Sequence, residues 1–85
     1  MTTVPDAVLR AARAAAATRL GVASDALTLV RAEEVSWSDS SLGCPEPGRV
    51  YTQAIVPGYR LLLQSGDVLL EVHADRAGRT AMCGG

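Results

Sequence analysis

The chain contains no phenylalanine, lysine or asparagine, and its aromatic side chains are Trp37, Tyr51 and Tyr59 alone. A core must therefore be assembled from Leu, Val and Ala, and each aromatic carries unusual weight in it. All eight cations are arginines, set against nine scattered acids for a net charge of −1. No basic stripe results, which excludes nucleic acid as a partner. One histidine and two cysteines far apart in sequence provide neither the paired spacings nor the four ligands of a tetrahedral zinc site, so no metal and no cofactor is expected. No apolar run approaches the ~20 residues of a membrane span. Residues 1–6 lack a basic n-region and an apolar h-region, so no signal peptide is visible. On this N-terminus the location reads as cytoplasmic; removal of a leader would make it cell envelope or secreted.

What is present is the composition of one folded domain spanning 1–85, with 48% hydrophobic and 20% charged residues. A chain this short buries only about 60% of the surface it exposes when unfolded, so the core is thin. Residues 3–20 read as a helix. Thr3 and Asp6 resemble a capping box, Pro5 suits a first turn, the alanine run has high propensity, and Gly21 is a natural stop. Val8, Leu9, Ala12, Ala15, Ala16 and Leu20 form the apolar stripe, with Asp6, Arg10, Arg13 and Ala17 opposite. After a turn at Ser24-Asp25, residues 27–37 alternate imperfectly, and a bulge near residues 32–34 would repair the pattern.

Residues 38–49 carry Ser, Asp, Gly and Pro and read as the longest loop. Strands are then expected at 50–56, ending in a Pro57-Gly58 turn, and at 59–64, 68–74 and 79–83. The fold class is α+β: one N-terminal helix packed on a curved antiparallel sheet of four to five strands, in a cystatin-like or similar arrangement.

Catalytic constellations are missing, and the chain reads as a non-enzyme. His73 reads as a strand residue facing solvent or a polar neighbour. Glu33 and Glu34, adjacent on a strand, face opposite sides and cannot cooperate. Asp39, Glu46, Asp67 and Asp75 fall in loops or turns, and no serine sits in a nucleophile-elbow pattern. Cys44 and Cys83 allow one bridge, which in the chain-entropy model would stabilise the fold by roughly 4 kcal/mol in an oxidising compartment. In a reducing cell both stay thiols.

The unusual stretch is 37–59, stiff with Pro45, Pro47 and Pro57 yet rich in apolar groups. Leu42, Pro45, Pro47, Tyr51, Gln53, Pro57 and Tyr59 are the expected binding surface for a protein partner of undetermined identity, because a stiff loop loses little entropy on binding. In the competing reading Trp37 and Tyr59 plug the thin core and the prolines merely hold the loop to the sheet.

The string Trp37-Ser-Asp-Ser-Ser-Leu-Gly-Cys-Pro-Glu-Pro-Gly48, followed by Tyr51-Thr-Gln, Pro57-Gly-Tyr-Arg60 and a cysteine, Cys83, at the end of the last expected strand, resembles a family of small bacterial domains with no assigned activity. That resemblance covers nearly the whole chain and implies a domain that often follows an export signal or lipoprotein leader. A fainter likeness links Gln53 to Gly58 with the Q-x-V-x-G hairpin by which cystatins plug cysteine peptidases, although one extra residue intervenes and no Pro-Trp second hairpin follows. It implies peptidase inhibition as the alternative to a general binding module. Monomer and homodimer through an open sheet edge both remain compatible with the sequence.

Overall fold

A computed structural model describes residues 3–83. Helix α1 spans Asp6–Leu20, and a short 3₁₀ turn at Ser24–Ala26 leads into strand β1, Thr28–Trp37. After the loop at 38–55, strands β2 (Val56–Ser65), β3 (Val68–Asp75) and β4 (Thr80–Ala81) complete a four-stranded antiparallel meander in the order β1-β2-β3-β4. The helix packs chiefly on β3 and also touches β2 and β4. The expected α+β fold, one helix on an antiparallel sheet, is the observed one.

Strand periodicity sorts the side chains into two populations. Ala32, Leu61 and Val72 stand side by side across β1, β2 and β3, as Tyr59 and Ala74 do across β2 and β3. These residues join Val8, Ala12, Ala16 and Ala17 of α1 in the core. Because alanines line the helix, its backbone approaches the sheet closely, and Leu61, Leu63 and Val72 fill the gap. Residues of opposite parity, Glu33, Arg60, Glu71 and His73, look away from the helix and carry a ladder of ion pairs. Arg60 reaches Glu33 at 3.6 Å and Glu71 at 3.9 Å, and Arg31 reaches Glu33 at 3.7 Å. Exposed pairs of this kind contribute less than about 1 kcal/mol each, so the ladder mainly keeps this face wet.

The register explains the imperfect alternation of β1. Leu29 opposes Leu63, but Arg31 opposes Leu62, so Val30 is the extra residue of a bulge. The bulge sits at residue 30, ahead of the expected 32–34. Its effect is to return Ala32 to the core parity shared with Leu29 while directing Trp37 to the opposite face. Bulge and charges together also blunt β1 as an edge strand.

Several local expectations are corrected. Thr3 and Asp6 form no capping box: Pro5 occupies the N-cap without a side-chain bond, and its carbonyl accepts from the N–H groups of Val8 and Leu9 at 3.0 Å each. Gly21 does terminate the helix in the left-handed region, at φ 69°. Ala17, assigned to the wet side, is buried, whereas Ala15 is only partly so. No strand forms at 50–55, because no partner strand lies alongside; the Thr52 N–H instead donates to Ser40 Oγ at 2.9 Å. The last strand contracts from 79–83 to Thr80–Ala81.

The largest correction concerns Pro57-Gly58, expected as a turn and found inside β2. Pro57 is tolerated because β2 has only β1 beside it there; pairing with β3 begins at Gly58, opposite Asp75. Gly58 is required by close approach. A Cβ at this position would overlap the Ala74 carbonyl oxygen and come within 2.9 Å of Trp37 Nε1. Gly58→Ala is therefore expected to cost about 3 kcal/mol or more of unfolding free energy, measured by urea denaturation, because backbone on the neighbouring strand must move. A cost below about 0.5 kcal/mol would show that the strands are not this close.

Candidate functional site

The site lies at the end of the sheet face that α1 leaves uncovered. Trp37, the last residue of β1, is buried there, and its indole N–H donates to the Ala74 carbonyl at 3.1 Å. The His73 ring stacks on the indole with 4.4 Å between centroids and 25° between planes, and the Arg60 guanidinium lies 5.7 Å from the indole centroid on the wet side. Burial of a tryptophan on this face demands a lid, and the first residues of the long loop supply it.

That lid is built around an unusual backbone. Leu42 adopts φ 56° and Gly43 φ 77° in succession. A leucine in the left-handed region costs on the order of 1–3 kcal/mol, so its surroundings must over-determine it. They do so in three ways. The Leu42 side chain is only 2% exposed; its carbonyl accepts from His73 Nδ1 at 2.7 Å; and Cys44 is tied covalently to Cys83, beyond β4. Gly43 packs so tightly over the indole that a Cβ would fall 2.9 Å from Trp37 Cζ3. The turn is further fixed by Asp39, whose carboxylate accepts from the Ser41 hydroxyl and from the Ser41 N–H. The Ser41 hydroxyl first, and the backbone N–H second, hold the Asp39 carboxyl below its ordinary value of 3.8.

His73 is the hub. Nε2 lies 2.7 Å from Glu71 Oε2, and Nδ1 lies 3.4 Å from Cys44 Sγ and 3.9 Å from Cys83 Sγ in addition to the Leu42 oxygen. Both ring nitrogens thus face acceptors, and the full set of bonds is made only when each carries a hydrogen. The expectation of a solvent-facing histidine fails: the ring is buried, though its neighbours are polar as anticipated. Cys44, Cys83 and His73, far apart in sequence, come together here. Their donor atoms all lie within 4.8 Å of one another, because antiparallel pairing of β3 with β4 returns Cys83 to His73 and the loop brings Cys44 over both.

Beyond the disulfide the loop rises into solvent but keeps its own bonds. Ser40 N–H donates to the Thr52 carbonyl at 3.1 Å, Glu46 N–H donates to Tyr51 Oη at 2.9 Å, and Arg49 pairs with Glu46 at 3.4 Å. Between the loop and β4 opens a cleft of about 510 Å³, lined among others by Ser41, Cys44, Pro45, Tyr51, Met82 and Cys83. The expected binding residues divide here. Pro45, Pro47, Gln53 and Pro57 are exposed and Tyr51 is half-buried, but Leu42 and Tyr59, at 2% and 6% exposure, are core and cannot present a surface. Conversely, Val50 and Ile55, absent from the expected set, are 97% and 68% exposed.

The chain matches the family described as Domain of unknown function (DUF8738) over residues 9–83. It belongs to that family. The DUF8738 match takes in the helix from Leu9, the whole sheet, the loop and both cysteines, so the site is inside the family's domain. No curated protein and no solved structure matches the chain. Among the described residues of this DUF8738 domain, no helix is long and apolar enough to cross a membrane.

Sequence reading missed Ser41, Glu71 and the burial of His73. Glu71 and His73 stand two positions apart on one strand and so share a face, which is a legible signal; nothing in the linear sequence hints that Leu42-Gly43 would bend back over them.

Two outcomes follow for the DUF8738 fold. Replacing Cys44 and Cys83 together by serine removes a bridge spanning 39 residues and is expected to lower unfolding free energy by about 4 kcal/mol in denaturant titrations. Because Asp39 titrates lower when folded than when unfolded, its contribution is complete above the unfolded-state value near 4 and disappears as the pH falls through the folded-state one. Asp39→Asn should therefore destabilise at neutral pH and flatten the acid limb of the stability profile below about pH 4. Parallel profiles for the two proteins would contradict it.

Proposed function

We propose that this domain is a non-enzymatic binding module that engages a protein partner through the exposed part of the stapled loop, residues 45–55. The observation that carries this reading is the near-complete exposure of Val50 and the strong exposure of Ile55 on a loop that is otherwise internally bonded and covalently pinned. Covering a Val or Ile side chain contributes about 1.5–3 kcal/mol, and a loop held in shape before binding gives little of that back as ordering entropy. The neighbouring cleft, with Tyr51 and Met82 in its walls, offers a concave rim for a side chain of the partner. Trp37 and Leu42 hold the base of the loop and Tyr59 belongs to the core beneath the helix, whereas Pro45, Pro47, Tyr51 and Gln53 border what the loop presents.

Peptidase inhibition is the narrower form of this reading. Gln53, Ala54 and Ile55 are exposed and irregular, as an inhibitory segment would need to be, although Val56, Pro57 and Gly58 belong to β2 and not to a tight turn.

A photo-crosslinking amino acid at position 50, introduced in cells that make the protein naturally, is expected to capture one defined protein. The same probe at Leu69, exposed at the far hairpin, should not. With that protein purified, the double substitution Val50→Ser and Ile55→Ser should weaken binding at least tenfold, about 1.4 kcal/mol, while leaving the melting temperature unchanged. Identical capture at both positions, or unchanged affinity, contradicts the reading; a captured peptidase whose activity falls on binding selects inhibition.

A further inference from the structure

We propose that, once its disulfide is reduced, the domain binds a zinc ion through the thiolates of Cys44 and Cys83 and Nδ1 of His73. The geometry is close to that of a coordination shell before any metal arrives. With Zn–S near 2.3 Å and Zn–N near 2.0–2.1 Å, tetrahedral ligands stand about 3.6 Å apart for an N···S edge and about 3.8 Å for an S···S edge. The two N···S edges are 3.4 and 3.9 Å. Two changes complete the shell: the Leu42 carbonyl, now 2.7 Å from Nδ1 as its hydrogen-bond acceptor, swings aside to let the ion onto that nitrogen, and the S···S edge lengthens when the bond is broken. Cys83 is free to make that move because it lies beyond the β4 ladder and is exposed.

The surroundings of His73 favour a cation at this point. Nδ1, both sulfurs and the Leu42 carbonyl oxygen converge, and the Gly43 oxygen lies 3.1 Å from Cys83 Sγ, so the centre is enclosed by electron-rich atoms. Glu71 accepts from Nε2 at 2.7 Å, which is the carboxylate–histidine arrangement that orients a metal-bound imidazole and leaves the other nitrogen's lone pair for the ion. The open cleft alongside admits a water as the fourth ligand. Stoichiometry closes with a dithiol reductant: it is oxidised to its own cyclic disulfide, Cys44 and Cys83 each gain a proton and together two electrons, and zinc then displaces both thiol protons and the Nδ1 proton. A small-molecule disulfide reverses the sequence: it takes the two electrons from the thiolates and two protons from solvent to become free thiol, Cys44–Cys83 re-forms and the ion is expelled. The same three residues thus act as a staple in an oxidising compartment and as a metal site in a reducing one.

The test uses the full chain reduced with a phosphine and titrated anaerobically with Co²⁺ as a spectroscopic stand-in, then with Zn²⁺ against a chromophoric chelator. The expected result is one ion per chain, thiolate-to-cobalt charge-transfer bands with the intense visible bands of a tetrahedral site, and binding lost on oxidation. His73→Gln should weaken Zn²⁺ binding, and Glu71→Gln should weaken it by about 10–100-fold through the histidine. Circular dichroism of each reduced variant, with and without metal, shows whether it is folded. An unfolded dithiol chain would hold the ion by its cysteines alone and be indifferent to residues 71 and 73. Equal affinities for the parent, His73→Gln and Glu71→Gln proteins therefore overturn the proposal whether or not the reduced chain is folded, as does retention of binding by the oxidised protein.

Discussion

A single helix covers one face of a four-stranded sheet, and among the described residues no regular element covers the other. The second face must be wetted by charge or roofed by loop, and both solutions appear. Arg31, Glu33, Arg60 and Glu71 wet its middle, while Leu42 and Gly43 roof the end where Trp37 and His73 are stacked. The roof has few ways to stay in place. It has no strand partner, so it is fastened by a disulfide, by the Leu42–His73 bond and by the Asp39–Ser41 turn.

That fastening links fold and surface. Residues 38–44 have a structural duty, and the backbone strain of Leu42 is offset by burial of its own side chain. Residues 45–55 inherit the rigidity without the duty, and there Val50 and Ile55 stand in solvent. A loop with a fixed base and an apolar crest is suited to recognition in the same way that rigid scaffolds present binding loops generally. The staple and the hub share atoms: the histidine that holds the roof is the one whose nitrogen faces both sulfurs. Compartment chemistry therefore reaches the loop directly.

The helix, the meander and the α+β class were legible because they rest on local signals: the alanine-rich stripe ending at Gly21, the hairpin residues at 65–67, and the turn at 75–78. The errors share one physical origin. Pro57-Gly58 has turn chemistry, but tertiary pairing with Ser36 and Val35 and the need for a bare Cα beneath Ala74 made it strand. Residues 50–55 have β chemistry and lack a partner. Leu42 and Tyr59 looked like recognition residues in a chain short of aromatics and proved to be scarce core material used in two places, one on each face of the sheet. The Cys44–His73–Cys83 convergence depends on register and on a left-handed leucine, neither of which a linear reading supplies.

The central claim is that the loop is shaped before it meets anything, and amide hydrogen exchange on the oxidised protein tests it most directly. The account predicts slowed exchange at Ser40, Cys44, Glu46 and Thr52, whose N–H groups have partners in the structure, and a selective loss of that protection on reduction while β2 and β3 amides remain slow. Exchange of these four amides at the unprotected rate in the oxidised protein, or no change on reduction, would contradict it.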